Sequence, residues 1–143
     1  MSLMALAISA GLKVTAIHVD HGLRPESALE ADIVRSAADA IGAQFQAVTL
    51  AVGQGSNLEA RARQARYEAL PDDVLTGHTA DDQAETVLLN VLRGAGLDGL
   101  AGIRSFGGPS QRVGHPLLAI RRSETEAVCQ LLGWQPVFDP SNN

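Results

Sequence analysis

The chain has little of what several kinds of protein require. Its one cysteine, Cys129, cannot form a disulfide within the chain. Aromatic residues make up only 3% of its 143 residues, so the core must come mainly from Ala, Val, Ile and Leu, which argues against an all-β sandwich. The sequence has no apolar run long enough to span a membrane, and its start has no secretory signal pattern. These features indicate a soluble globular domain in a reducing cytoplasm.

An excess of positive charge is also lacking. Eleven Lys and Arg residues stand against 16 Asp and Glu, which gives a formal net charge of −5. We therefore expect these residues to hold RNA only weakly by themselves, because phosphate contact is the main source of such affinity. What the chain does have is 45% hydrophobic residues within the usual length of one domain, which is enough to build a single core.

Short β-branched runs alternate with longer amphipathic stretches along the chain, without an internal repeat. This alternation predicts a doubly wound α/β fold, in which right-handed crossovers place parallel strands in one open sheet with helices on both faces. The predicted strands are 13–19, 45–50 and 74–77. The predicted helices are 3–10, a second opened by 24–27 and ended by Gly42, a third over 58–69, a fourth capped by Thr79 and ended after Leu92, and a last one from about Ser123 to Leu132.

Helical spacing also predicts the buried side of each helix. The sequence further suggests a capping pair, Ser123 with Glu126, for the last helix, and a flexible loop over 105–110, where half the residues are Gly or Pro. Trp134 and Phe138 are interpreted as core anchors. The apolar positions expected to be buried are Leu29, Ile33, Ala37 and Ile41 in the second helix and Ala84, Leu88, Val91 and Leu92 in the fourth.

Ligands of doubly wound sheets bind beyond the carboxyl ends of the strands, so the residues after Val19, Leu50 and Gly77 form the candidate site. The first of these segments, 18–24, gathers two histidines, an aspartate and an arginine. Three interpretations stay open: a metal site with His-x-x-His spacing, a strand histidine beside a turn-capping carboxylate, or a loop that holds a nucleotide. Because further ligands of the kind zinc needs are not nearby in sequence, we predict no protein-held metal.

The most informative stretch is 77–85, where a short strand leads directly into a helix with three carboxylates in its first turns: Asp81, Asp82 and Glu85. Their spacing crowds them on one side, where each like-charge pair costs about 0.2–0.5 kcal/mol. Each acid near the helix N-terminus stabilises the helix by about 0.3–1 kcal/mol through the helix dipole. Stabilisation of their own helix is therefore one sufficient explanation for the acids. The other explanation is a bound cation, either Mg²⁺ or the ammonium of a substrate.

Single basic residues elsewhere are less specific. Arg61 and Arg66 have no acid three or four positions away, so they are either solvated or free to bind phosphate. Arg93 lies at the end of a predicted helix, where the helix dipole already accounts for a cation. His115 stands alone in the sequence and is interpreted as structural.

Several segments, in this order, resemble the N-terminal catalytic domain of the bacterial tRNA(Ile)-lysidine synthetases, which are N-type ATP pyrophosphatases. They cover nearly the whole chain. By this resemblance, residues 1–143 form one nucleotide-binding domain of the adenine nucleotide alpha hydrolase type, incomplete at both termini. The matching segments are HVDHGLRPES (18–27), NLEARAR (57–63) with Arg66-Tyr67, GHTADDQAET (77–86), LRG (92–94), GLAG (99–102), PLL (116–118) and DPSN (139–142).

The resemblance implies a two-step reaction. ATP, accompanied by Mg²⁺, adenylates the C2 oxygen of the wobble cytidine in a CAU-anticodon isoleucine tRNA, and the side-chain amine of L-lysine then displaces AMP to give lysidine. The resemblance also implies that Asp82 and Glu85, with Asp81 beside them, hold the lysine substrate. The residues expected to bind ATP, lysine or tRNA phosphate are Ile17, His18, Asp20, His21, Arg24, Arg61, Arg66, Gly77, His78 and Arg93.

The sequence also departs from the family pattern. It does not contain the Ser-Gly-Gly-x-Asp-Ser loop, which cradles pyrophosphate in the family, nor the helix and tRNA-binding domains that follow DPSN in family members. Thr79 stands where many members have a second histidine, and His115 stands where arginine is common. We therefore expect little or no synthetase activity from these residues alone.

Two other functions remain open at this point. One is another tRNA-modifying ATP pyrophosphatase, such as a thiolase, which the single cysteine disfavours. The other is a module that holds adenine nucleotide without transferring it.

Overall fold

The structure is a computed structural model that describes residues 1–20, 27–49, 70–71, 73–107 and 112–134. Its contacts group into two compact units, Met1–Leu70 with Cys129–Asn143, and Pro71–Val128. None of the helices in these ranges is long and apolar enough to cross a membrane. The described elements are α1 (Ser2–Ser9), β1 (Thr15–Asp20), α2 (Ser27–Ala40), β2 (Gln44–Thr49), β3 (Val74–Leu75), α3 (Ala80–Leu92), α4 (Leu97–Leu100), β4 (Phe106–Gly107), β5 (Val113–Gly114) and α5 (Arg122–Leu131).

The first unit contains a strand–helix–strand arrangement. Strands β1 and β2 pair in parallel, in register from Thr15 opposite Gln44 to Asp20 opposite Thr49. Helix α2 connects them and packs against both strands. A parallel pair needs such a crossover, so the parallel pairing expected from the alternating pattern is confirmed here. The predicted helix over 58–69 lies outside the described residues.

The core of the first unit contains a methionine from α1 and alanines from α2 and from the turn just before β2. Met4, Ala37, Ala38 and Ala43 are buried, and Trp134 packs against them as interpreted from the sequence. Phe138 lies outside the described residues.

Only part of the apolar side predicted for α2 is buried. Ala37 lies in the core and Ile41 packs against it, whereas Leu29 is 66% exposed and Ile33 is 41% exposed. The predicted burial of Leu29 and Ile33 is wrong, because together with Met1 and Trp134 they line an open groove rather than a closed interior.

The second unit contains a three-stranded sheet in the order β3-β5-β4. Strand β3 runs parallel to β5, and β4 runs antiparallel to β5. The predicted flexible loop over 105–110 is therefore wrong at Phe106 and Gly107, which form β4, while residues 108–111 lie outside the described residues. The described strands thus form two sheets, and each sheet contains a parallel pair.

Glycine in this small sheet serves close approach between strands rather than flexibility. A Cβ added at Gly114 of β5 would lie 2.7 Å from a side-chain carbon of Leu75 in β3. The side chain of Phe106 in β4 would lie 3.5 Å away. A larger residue here would have to displace the end of the Leu75 side chain, so glycine eases the close approach of the three strands.

Helix α3 begins after Thr79 and ends at Leu92, as predicted. Its predicted buried side is wrong: Ala84 is exposed, Leu88 is 61% exposed and Leu92 is 81% exposed, and no residue of the helix is buried. Val91 is likewise 52% exposed. The described strands of this unit have two residues each, which is too little sheet to cover the face of a helix of this length.

The core of the first unit offers a packing test at Ala38, which is 0% exposed. We expect Ala38→Leu to lower the free energy of unfolding by about 1–3 kcal/mol, because the added carbon atoms have no space to occupy. Ala40→Leu is the matched control on the exposed side of α2, with an expected change within about 0.5 kcal/mol. Urea unfolding followed by circular dichroism measures both changes. Equal effects of the two substitutions would contradict the assigned core.

Candidate functional site

The first turn of α3 is fixed by a capping box between Thr79 and Asp82. The Oδ2 atom of Asp82 accepts hydrogen bonds of 2.6 Å from the backbone N–H of Thr79 and of 2.6 Å from its hydroxyl. Thr79 is buried, with 4% of its surface exposed. The capping role predicted for Thr79 is confirmed, and Asp82 stabilises the start of its own helix, as one of the two explanations required.

All three carboxylates of α3 converge on one residue of the second unit, Arg122. Its Nη2 atom donates a hydrogen bond of 3.1 Å to Oδ1 of Asp82 and one of 2.9 Å to Oε1 of Glu85. Its backbone N–H donates a hydrogen bond of 2.7 Å to Oδ2 of Asp81. These four residues are called the acid–arginine cluster below. Asp82 and Glu85 thus pair with the guanidinium, whereas Asp81 holds the main chain of Arg122.

The cluster forms because the first residues of α3 and α5 lie side by side. The backbone N–H of Ala80 donates a hydrogen bond of 2.9 Å to the carbonyl of Ile120. Helix α5 then begins at Arg122, in agreement with the predicted start at about Ser123. The backbone N–H of Arg121 donates to Oε2 of Glu124 at 2.9 Å, so Glu124 accepts the hydrogen bond expected of Glu126. This start places Arg122 opposite the acids.

Charge and partial burial determine the electrostatics of the cluster. Two carboxylates pair with one guanidinium and a third accepts a backbone hydrogen bond beside them, so acidic side chains outnumber basic ones in the cluster. Burial raises the pKa of Asp82, but the hydrogen bonds from Thr79 and Arg122 outweigh it and hold that pKa below its ordinary value. The hydrogen bond to Glu85 raises the pKa of Arg122 further above its already high value. Both shifts favour the charged forms of Asp82 and Arg122, and the additional carboxylates suit the cluster to holding cations.

A pair of histidines lies close to the same helix. Because β3 and β5 are parallel neighbours, the residues that follow them, Thr76 to His78 and His115, come to the same edge of the sheet. The rings of His78 and His115 have centroids 5.1 Å apart, and Nδ1 of His78 lies 2.8 Å from the hydroxyl of Thr76. His115 is 9% exposed, and its Nδ1 is buried without a hydrogen-bond partner among the described residues. His115 is therefore not the isolated histidine that the sequence indicates.

The other candidate residues are distributed over both units. Ile17, His18 and Asp20 lie in β1 of the first unit and are partly buried, and Nε2 of His18 has no partner among the described residues. Gly77 is exposed, and a Cβ added there would meet nothing within 4 Å. Arg93 directly follows α3 and is exposed. The remaining four lie outside the described residues: His21, Arg24, Arg61 and Arg66.

A protein-held metal does not fit the residues that the structure describes. Within the described ranges, no three His, Cys, Asp or Glu side chains are grouped as a metal site requires. Mg²⁺ commonly binds nucleotide phosphates with only one or two carboxylates, so we treat any Mg²⁺ as part of the nucleotide substrate.

Comparison with known proteins identifies the family. The model of the PP-loop domain family matches residues 1–143. The chain belongs to the PP-loop domain family. This PP-loop domain is 47% identical to the tRNA(Ile)-lysidine synthase of Rhodococcus erythropolis, over 100% of the chain and 45% of that protein. It is also 44% identical to the tRNA(Ile)-lysidine synthase of Novosphingobium aromaticivorans, over 87% of the chain and 42% of that protein.

These matches confirm the resemblance stated from the sequence. The PP-loop domain is also 45% identical to the tRNA(Ile)-lysidine synthase of Mycolicibacterium paratuberculosis, over 99% of the chain and 45% of that protein. The chain therefore spans less than half the length of the curated relatives it matches.

A solved structure supports the fold of this PP-loop domain. The U34-tRNA thiolase NcsA from Methanococcus maripaludis superposes with a TM-score of 0.71, over 97% of the chain and 56% of that protein. The sequence identity is 20%, so the likeness concerns the fold alone. The doubly wound α/β fold expected from the sequence is confirmed.

Sequence reasoning missed two features of this site. Arg122 lies about 40 positions after the acids, and no local spacing connects them. The partnership of His78 with His115 depends on strand β5, whose two residues are too few to give a periodic signal. If the pairing of β5 with β3 had been predicted, His115 and the start of α5 would have been expected near the acids.

Asp82 gives a test of the capping box. Its pKa is lower in the folded protein than in the unfolded chain, so the charged carboxylate contributes stability above about pH 4, which is lost as the pH falls through the folded pKa. We expect Asp82→Asn to lower the free energy of unfolding at pH 7 by about 0.5–2 kcal/mol. The difference from the unsubstituted protein should shrink towards pH 3. Urea unfolding at both pH values measures it.

The matched control for this test is Asp73→Asn, at an exposed turn of the same unit, with an expected change within about 0.5 kcal/mol. A loss for Asp82→Asn that is equally large at both pH values would show that its charge has no part in the stability.

Proposed function

We propose that this chain is the ATP-using and lysine-binding part of a tRNA(Ile)-lysidine synthase. The substrates are ATP with Mg²⁺, L-lysine and an isoleucine tRNA with a CAU anticodon, and the site of action is the cytoplasm. The observation that carries the proposal is the acid–arginine cluster, in which Asp82 and Glu85 hold the guanidinium of Arg122 at the start of α3. The identity of 47% to a protein named tRNA(Ile)-lysidine synthase supports it.

The reaction consists of two substitutions. In the first, the C2 oxygen of the wobble cytidine attacks the α-phosphorus of ATP, and pyrophosphate leaves. In the second, the side-chain nitrogen of lysine attacks C2 of the cytidine, the C–O bond to AMP breaks, and the attacking amine loses its proton. The protein must therefore bring three substrates together in one orientation, which is the main way such a site lowers the barrier.

The geometry of the cluster supports the role of Asp82 and Glu85 in binding lysine. One nitrogen atom, Nη2 of Arg122, donates to oxygens of both carboxylates, at 3.1 and 2.9 Å. A primary ammonium is likewise a single nitrogen with several N–H donors. The two carboxylates are thus spaced so that the ammonium of lysine could bind both at once.

The chemistry of the second step indicates which ammonium they hold. A carboxylate pair favours the charged form of an amine and raises its pKa, whereas the attacking amine must be neutral. The cluster therefore binds the α-ammonium of lysine and leaves the side-chain amine free to attack. On this assignment, Nα-acetyl-lysine would bind more weakly than lysine.

The proposed nucleotide site is the edge of the sheet next to α3. Gly77 has open space on its side-chain face, and His78 follows it directly, so the backbone there could approach an adenosine closely. Arg93 and the residues outside the described ranges that were inferred to bind phosphate, namely Arg24, Arg61 and Arg66, are proposed to neutralise phosphate charge. Ile17, His18, Asp20 and His21 are proposed to complete the nucleotide site.

Binding of tRNA is proposed to depend largely on parts of the relatives that this chain does not match. The chain spans about 45% of those proteins, and its net charge is −5. We expect the 143 residues by themselves to form little or no lysidine from ATP, lysine and tRNA. Turnover similar to that of the full-length Rhodococcus erythropolis enzyme, in an assay with radiolabelled lysine, would contradict this expectation.

The role of Glu85 can be tested in a chimera in which this chain replaces the matching part of the Rhodococcus erythropolis enzyme. We expect Glu85→Gln to raise the KM for lysine about 10- to 100-fold, because one charge-assisted hydrogen bond is lost. ATP-dependent adenylation of the tRNA, measured by pyrophosphate release, should remain nearly unchanged. Glu85 lies outside the capping box, so its substitution tests binding rather than folding.

The matched control is Glu126→Gln, an exposed glutamate on α5, which should leave the KM for lysine within about twofold. An unchanged KM in the Glu85→Gln chimera would show that the carboxylates only stabilise α3, and the lysine role would be abandoned.

A further inference from the structure

The position that the proposed function assigns to lysine is already occupied by a side chain. Nη2 of Arg122 directs its two hydrogens at Oδ1 of Asp82 and Oε1 of Glu85. An ammonium bound to the same two oxygens would lie against the guanidinium and repel it. Lysine and the Arg122 side chain therefore compete for the same two carboxylates.

Arg122 is held through both its backbone and its side chain, and only the side chain occupies the proposed position of the lysine ammonium. Its backbone N–H donates to Oδ2 of Asp81 at 2.7 Å, and the carbonyl of the nearby Ile120 accepts from Ala80. The main chain at this point is thus attached to α3 independently of the guanidinium. The side chain can leave the carboxylates without movement of the helix from which it extends.

The exposure of the side chains makes such an exchange easy. The side chain of Arg122 is 47% exposed and that of Glu85 is 58% exposed. Ion pairs with this exposure are weak, because water solvates the separated charges well. A free guanidinium has room in solvent, while the partly buried carboxylate of Asp82 stays fixed by Thr79.

We propose that Arg122 is an internal occupant of the lysine site, which keeps Asp82 and Glu85 paired when the site is empty and is displaced by the ammonium of lysine. The inference rests on the proposed function of the two carboxylates. It makes Arg122 a specificity-determining residue, since a cation must satisfy both carboxylates together to replace it. A cation that pairs with only one of them leaves the other contact to Arg122 intact.

The inference predicts a gain in affinity on substitution, which is the opposite of the usual loss. Removal of the competing guanidinium by Arg122→Gln should tighten the binding of L-lysine to the 143-residue chain about 3- to 30-fold, since two exposed ion pairs no longer have to be broken. The affinity for ethylamine should rise by a similar factor, because its primary ammonium also has enough N–H donors to bind both carboxylates in place of Arg122. Isothermal titration calorimetry with each amine measures both quantities.

The matched control is Arg121→Gln, which removes the same charge from the neighbouring residue outside the cluster. It should change the affinity for lysine by less than twofold, and so separate competition at the cluster from a general change in charge. Arg122→Lys keeps the positive charge but replaces the guanidinium with a single ammonium group. The affinity of this variant for lysine should lie between those of the unsubstituted chain and Arg122→Gln.

A direct measurement does not depend on substitution at Arg122. Selective ¹⁵N labelling of arginine allows the guanidinium of Arg122 to be followed by NMR, with Arg122→Gln serving only to assign its signal. Addition of L-lysine should shift this signal towards that of a solvated guanidinium and speed its hydrogen exchange. An unmoved signal at saturating lysine would overturn the inference even if a variant failed to fold.

The outcomes separate the two proposals. Weaker binding of lysine by Arg122→Gln, together with loss of binding by Glu85→Gln, would overturn the role of Arg122 and leave the carboxylates as the lysine site. Unchanged binding by Glu85→Gln would instead reject the carboxylates as the lysine site, and Arg122 would then have nothing to compete with. Absence of lysine binding by every variant would count against both proposals.

Discussion

The hydrogen bond between the backbone N–H of Ala80 and the carbonyl of Ile120 is the constraint on which the described site depends. It attaches the start of α3 to the residues that lead into α5, which are distant in sequence. Without it, the acids of α3 would face one another with only the helix dipole to offset their repulsion. With it, Arg122 lies opposite them, and the attraction of its guanidinium to Asp82 and Glu85 offsets the repulsion between the acids. The same contact therefore serves both the fold and the candidate chemistry.

Of the two explanations for the acids that the sequence left open, the structure supports stabilisation of their own helix at Asp82, and the bound cation stays a prediction. Asp82 uses one oxygen to cap its helix and the other to hold a guanidinium. A carboxylate with these two tasks is oriented before any substrate arrives, and less ordering is then needed when a ligand binds. Glu85 has no part in the cap, so its contribution to binding can be examined separately from helix stability.

The sequence was sufficient for features that are repeated or local. The alternation of strands and helices predicted the fold class, and Thr79 predicted the start of α3, because periodicity and capping are properties of short windows. It was insufficient where a feature depends on distant contacts. Strands β4 and β5 are too short to show a pattern, and their glycines resemble loop residues unless Leu75 and Phe106 are known to pack against them. Arg122 was missed for the same reason.

The apolar face of α3 has a consequence for handling the protein. Leu92 is 81% exposed and Leu97, just beyond the helix, is 87% exposed, and other leucines of α3 add to this surface among the described residues. Exposed apolar side chains of this kind favour association of the molecules as their concentration rises. Salts such as sulfate strengthen that tendency, whereas the net negative charge opposes it through mutual repulsion. Dilute samples at modest ionic strength are therefore the conditions under which single molecules should prevail.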